Sequence, residues 1–168
     1  MKTWAEKLTA NEDSLASDLA TLGYPGLSYL KPQQQTRNPA ELLLTALGQA
    51  QLDIRLVEAL PWVVLQFPEL DWRSLTAAVT SKGLQNRLGF IIGLARDIAE
   101  QRGDSAQAAA LARAEAMLEP ARLPHEDTLC HAALTRAEKE WLRRHRSRAA
   151  QHWRLLTDLT AAHLDYAA

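Results

Sequence analysis

The sequence predicts an all-α fold, a compact bundle or short solenoid of about seven to eight helices whose antiparallel neighbours are joined by short loops. Three observations carry this. Capping residues and glycine or proline stops punctuate the chain at helix-length intervals. The apolar residues between the stops repeat with the helical period. Strand signals are nearly absent, with few valines and isoleucines and no hairpin dipeptide between alternating runs.

The elements follow in order. Thr9 to Leu22 reads as a first helix, stopped by Gly23, and Tyr24 to Arg37 reads as a loop or extended arm. Asn38-Pro39-Ala40-Glu41 combines an N-cap, a first-turn proline and a capping-box glutamate, and Leu42, Leu43, Ala46 and Leu47 supply the apolar face behind it. From Asp53 to Phe67, the residues Val57, Leu60, Val64 and Phe67 share one helical face. Pro61 falls inside this stretch. It removes one backbone hydrogen bond and crowds the preceding turn, which predicts a kink or a break into two short helices.

Asp71 caps the next helix, with Trp72, Leu75, Ala78 and Val79 inward and Lys82-Gly83 as its stop. Leu88, Ile91, Ile92, Ala95, Ile98 and Ala99 then form the clearest apolar stripe in the chain, ended by Arg102-Gly103. Asp104 to Glu119 is alanine-rich, hence helical, and open to close approach by a neighbour. Pro120 and Pro124 bound a loop. Thr135-Arg136-Ala137-Glu138 is a second capping box, opening a helix with Trp141 and Leu142 toward the core. After a break near Ser147, a further helix carries Trp153, Leu156 and Leu159. The organisation is an N-terminal helix and arm over residues 1–37, a helical core over 38–119, and a C-terminal helical segment over 120–168 packed on that core.

A chain of 168 residues suits one domain and can bury about 70% of its unfolded surface without a metal or disulfide. The single cysteine, Cys130, excludes an internal disulfide and fits a reducing compartment. No apolar run approaches the roughly 18 residues of a membrane span. Met1 to Ala20 carries charges throughout rather than a secretory apolar core. The expectation is a cytoplasmic protein with no membrane partner.

The net charge of −1 hides an asymmetry. Met1 to Asp71 carries five basic and nine acidic residues, whereas Arg136 to Arg154 carries seven basic and two acidic. The basic end suits a polyanion or an acidic partner, or the acidic N-terminal segment of the same chain.

Arg143, Arg144, Arg146, Arg148, His152 and Arg154, flanked by Trp141 and Trp153, are therefore the candidate anion-binding or nucleic-acid-binding residues. Arginines neutralise phosphates and aromatic rings stack on bases. The competing account is a solvated helix face or a set of internal ion pairs. Within this cluster, Arg146 followed after five residues by His152 resembles the arginine–spacer–histidine signature of HEPN ribonucleases. That resemblance implies a proton-moving histidine beside a phosphate-holding arginine. His125, Cys130 and His131 are residue types that ligate metals, but one cysteine without a partner pair does not make a structural zinc pattern. There is no glycine-rich phosphate loop, no His-Glu-x-x-His and no nucleophile elbow. The sequence therefore assigns no catalytic residue, no cofactor and no metal ligand.

Leu84-Gln85-Asn86-Arg87-Leu88-Gly89-Phe90-Ile91-Ile92 resembles the Arg-Leu-Gly-aromatic-aliphatic-aliphatic stretch of AbiE-type abortive-infection antitoxins. With the helix from Asp71, the resemblance covers about thirty residues. It implies a protein partner, a toxin or other defence effector; the family pairs with a nucleotidyltransferase toxin and represses its own promoter. The sequence departs from the family in Met1 to Gln51, where no winged helix-turn-helix is found. Independently of kinship, Gly89 points to a close helix–helix contact. Arg87 opens a helix, where the dipole disfavours a cation, and so is a candidate to reach a carboxylate or contact a partner, with a plain surface position as the alternative. The expected function is a helical protein–protein interaction module, antitoxin-like or regulatory, in a bacterial defence system. The alternatives are a nucleic-acid-binding protein or HEPN-like ribonuclease using Arg143 to Arg154, and a structural homo-oligomer.

Overall fold

The computed structural model describes residues 10–167, so the start expected at Thr9 and the reading of the first nine residues lie outside it. Eight α-helices are present among the described residues: α1 (Ala10–Leu22), α2 (Pro39–Leu47), α3 (Ile54–Gln66), α4 (Trp72–Ser81), α5 (Gln85–Gln101), α6 (Ser105–Leu118), α7 (Arg136–His145) and α8 (Arg148–His152). Two short strands, β1 (Asp127–Thr128) and β2 (Leu155–Leu156), pair in parallel.

Helix starts follow local chemistry. The side chains of Asn38, Asp53, Asp71, Asp104 and Thr135 each accept from a backbone N–H in the first turn of the helix they open. At Thr135 the box closes both ways, because Glu138 accepts from the Thr135 backbone N–H at 2.9 Å. The stops are equally local: Gly83 and Gly103 adopt positive φ just past α4 and α5, where a side chain would be strained.

The helix α5 is the hub. It packs on α3, α4, α6, α8 and the single turn Ala161–His163. The expected one-sided stripe is therefore too narrow. Every residue from Gln85 to Ala95 is buried, because the C-terminal segment covers the face that α3 and α6 leave open. One apolar core runs from Leu15 to Leu164 through all three sequence segments. No helix among the described residues is long and apolar enough to cross a membrane.

Gly89 has a packing reason. A Cβ built there would lie 2.5 Å from the indole of Trp153, well inside contact distance. The close approach predicted at this glycine is made by the residue that ends α8.

Three expectations need correction. The helix α3 runs on through Pro61 without the break into two short helices, and Pro61 is buried in the core along with its neighbours on both sides. Tertiary packing outweighs the one hydrogen bond that proline removes. Leu156 and Leu159 are not helical: α8 ends at His152, Arg154 turns the chain with φ +53, and Leu156 lies in β2. That pairing is with β1, far away in sequence, so no local period encodes it. Trp141 is 50% exposed rather than inward, because Leu142 is the only buried residue of α7.

The candidate C-terminal basic face and the Arg87 node

Two sets of arginines emerge, and they differ in what surrounds them. The first is Arg87, at the start of α5. It is only 9% exposed, so neither the plain surface position nor an exposed partner contact describes it. Its Nε and Nη2 donate to the two carboxylate oxygens of Asp127 at 2.8 and 3.1 Å. Its Nη1 donates to the carbonyls of Leu47, at 2.7 Å, and Gln49, at 3.1 Å. Planar forked donors suit this role, which a lysine ammonium would fill only in part. The guanidinium ties the end of α2, the start of α5 and β1 together.

The neighbours of Arg87 work in the same way. The Asn86 amide donates to the Leu123 carbonyl and its oxygen accepts from the Leu123 N–H, while Gln85 donates to the Ala121 carbonyl. The Gln85-Asn86-Arg87 run thus fastens the link between α6 and α7 to the hub helix. Cys130 sits beneath it, fully buried with φ +56. Burial pushes its thiol up to about 11. Among the described residues no three His, Cys, Asp or Glu side chains converge as metal ligands, and His125 and His131 are both exposed.

The second set is the predicted cluster, and the structure divides it. Arg143 makes a forked pair with Glu126, its Nε and Nη2 each within 2.9 Å of Oε1. Arg146 reaches the other oxygen of Glu126 at 3.5 Å and the Leu155 carbonyl at 3.3 Å. The hydrogen bonds from Arg143 hold the Glu126 carboxyl below its usual range. Both arginines thus share one carboxylate, which offsets one of their two charges. Their carboxylate comes from the link before α7 and not from the acidic N-terminal segment.

Arg144, Arg148 and Arg154 are exposed, and no carboxylate pairs with them among the described residues. Arg148, His152 and Arg154 line a shallow recess of about 330 Å³ together with Gln151 and Arg122. Arg122 is a residue that sequence reading missed. It stands thirty residues before His152 and donates to the imidazole at 2.7 Å. The same imidazole meets Glu119 at 2.6 Å. His152 and Arg146 share no partner, so the two residues of the HEPN-like spacing belong to different contact sets. On α7, the exposed Trp141 ring stacks on His145 at 4.2 Å, next to Arg144 in sequence.

A larger cleft, of about 870 Å³, lies between the start of α2 and the α3–α4 link. Leu22, Phe67 and Leu70 form its apolar wall, and Arg37 and Asp71 its charged rim. Asp71 is already engaged in capping α4.

No family model matches the chain, and no curated protein or solved structure is similar enough to count as a match.

Proposed function

We propose that this chain is a helical protein-binding module, used as an antitoxin-like or regulatory component of a bacterial defence system, and that its C-terminal basic face is the contact surface. One observation carries the reading. Among the described residues no carboxylate pairs with the exposed Arg144, Arg148 and Arg154, while Arg87 pairs with Asp127 and Arg143 and Arg146 share Glu126. Unbalanced guanidiniums on a rigid scaffold steer and orient an acidic partner. The Arg-Leu-Gly stretch supports the scaffold side of this reading, since its residues fasten the fold rather than face outward.

A nucleic-acid reading has one observation in its favour, the exposed Trp141–His145 stack near Arg144, because ring faces accept bases. Both readings are tested by tagged purification from the native host, with mass spectrometry and an absorbance check for nucleic acid. A stoichiometric acidic protein supports the first. Nucleic acid alone, released steeply by salt, replaces it with the second. Recovery of a bare self-associated chain defeats both and favours a structural homo-oligomer.

A further inference from the structure

We propose that the recess formed by Arg122, Arg148, His152 and Arg154 is an oxyanion site that takes the phosphate group of a phosphate ester. The recess includes Arg148 and Arg154 of the proposed contact face, and its test uses the chain alone, so its outcome is read separately from that of the protein-partner reading.

Charge sets the ligand class. Three guanidiniums line the recess, and among the described residues no carboxylate does. Glu119, the nearest acid, is engaged with His152 at 2.6 Å and with Arg122 at 3.9 Å. That leaves the positive charges of Arg148 and Arg154 unbalanced. A carboxylate would neutralise one of them, whereas a phosphate dianion neutralises both and offers oxygens to several forked donors. The Gln151 amide supplies a further neutral donor in the same lining. The volume falls near the bottom of the roughly 300–1,000 Å³ range of small-molecule sites, leaving room for the group esterified to the phosphate.

The backbone adds a second, independent observation. Arg154 stands at φ +53, where glycine would be unstrained. Its N–H donates to the Gln151 carbonyl at 3.2 Å, and its own carbonyl accepts from the Asp127 N–H at 2.9 Å. The residue is fixed on both sides, so its side chain leaves the chain in a set direction. The hydrogen-bond partners of Arg122 and the buried Trp153 beside His152 hold the other walls.

The test is an amide NMR titration of the intact purified chain with inorganic phosphate at constant ionic strength. Saturable shifts centred on residues 148–154 are expected. Arg148→Gln should weaken binding about tenfold, the loss of one charged hydrogen-bond donor. Arg154→Gly should weaken it comparably while leaving the melting temperature unchanged or raised, so misfolding cannot account for the loss. Arg73→Gln, an exposed arginine on α4, should bind as the parent chain does. Equal shifts with chloride, or full affinity in Arg154→Gly, would overturn the proposal. Parallel titrations with a nucleoside 5′-monophosphate and a single-stranded oligonucleotide separate the sources of the phosphate. Binding to both, each weakened about tenfold by Arg148→Gln, indicates that a nucleic-acid backbone is taken as well. Binding to the monophosphate alone indicates a small ester. A missing protein partner would leave all of these outcomes unchanged.

Discussion

Arg87 and Arg148 carry the same guanidinium into opposite settings. Arg87 is buried, with donors committed to Asp127 and two backbone carbonyls. Arg148 is exposed at the edge of a recess, with no acid among the described residues to balance it. The residue inside a recognisable sequence stretch turns out to brace the fold, and the residue in a loose basic run is the one left available. Motif-like spacing and functional exposure are therefore separate properties in this chain. Neither can stand in for the other.

The difference breaks first at Arg87. Arg87→Ala leaves Asp127 and the carbonyls of Leu47 and Gln49 without their donor, and should lower stability by about 3 kcal/mol. The figure belongs at the low end for such pairs because the Asp127 side chain is 39% exposed. Urea denaturation reads the loss, and an unchanged midpoint would show that the node braces nothing. Gly89→Ala, which drives a methyl into the Trp153 indole, should cost about 2 kcal/mol. Pairing it with Trp153→Phe should recover part of that loss, in proportion to the space released.

Cys130 sharpens the same region by pH. Burial raises its thiol from 9.0 to about 11, so the folded chain keeps the proton that the unfolded chain releases. This contribution is fully present below pH 9 and is lost as pH rises toward 11. The total is on the order of 3 kcal/mol. Comparing the parent chain with Cys130→Ala in alkaline denaturation isolates the contribution, and the folded thiol should resist modifying reagents at neutral pH. On the basic face the effects on stability should be small. Glu126→Gln breaks pairs whose side chains are partly exposed, and should cost under about 1 kcal/mol. Arg148→Gln should stay within about 0.5 kcal/mol of the parent chain.

What the sequence made legible follows the range of the interactions. Asn38, Asp53, Asp71, Asp104 and Thr135 announce helix starts because a cap bonds its own first turn. Gly83 and Gly103 announce stops for the same local reason. The unbroken helix through Pro61, the strand at Leu156 and the burial of Arg87 depend on contacts made across the chain, and no window of neighbouring residues encodes them. The basic cluster was legible as composition. Its division into a paired half around Glu126 and an unpaired half around Arg148 was not, and Arg122 entered the site only through folding.

The most direct test of the account is partner capture by the tagged chain carrying Arg144→Glu and Arg148→Glu, run beside the parent chain and an Arg73→Glu control. The account predicts that the double reversal abolishes capture while its melting temperature and the control's capture stay at parent values. Undiminished capture by the double reversal would contradict it and would place the contact surface elsewhere on the molecule.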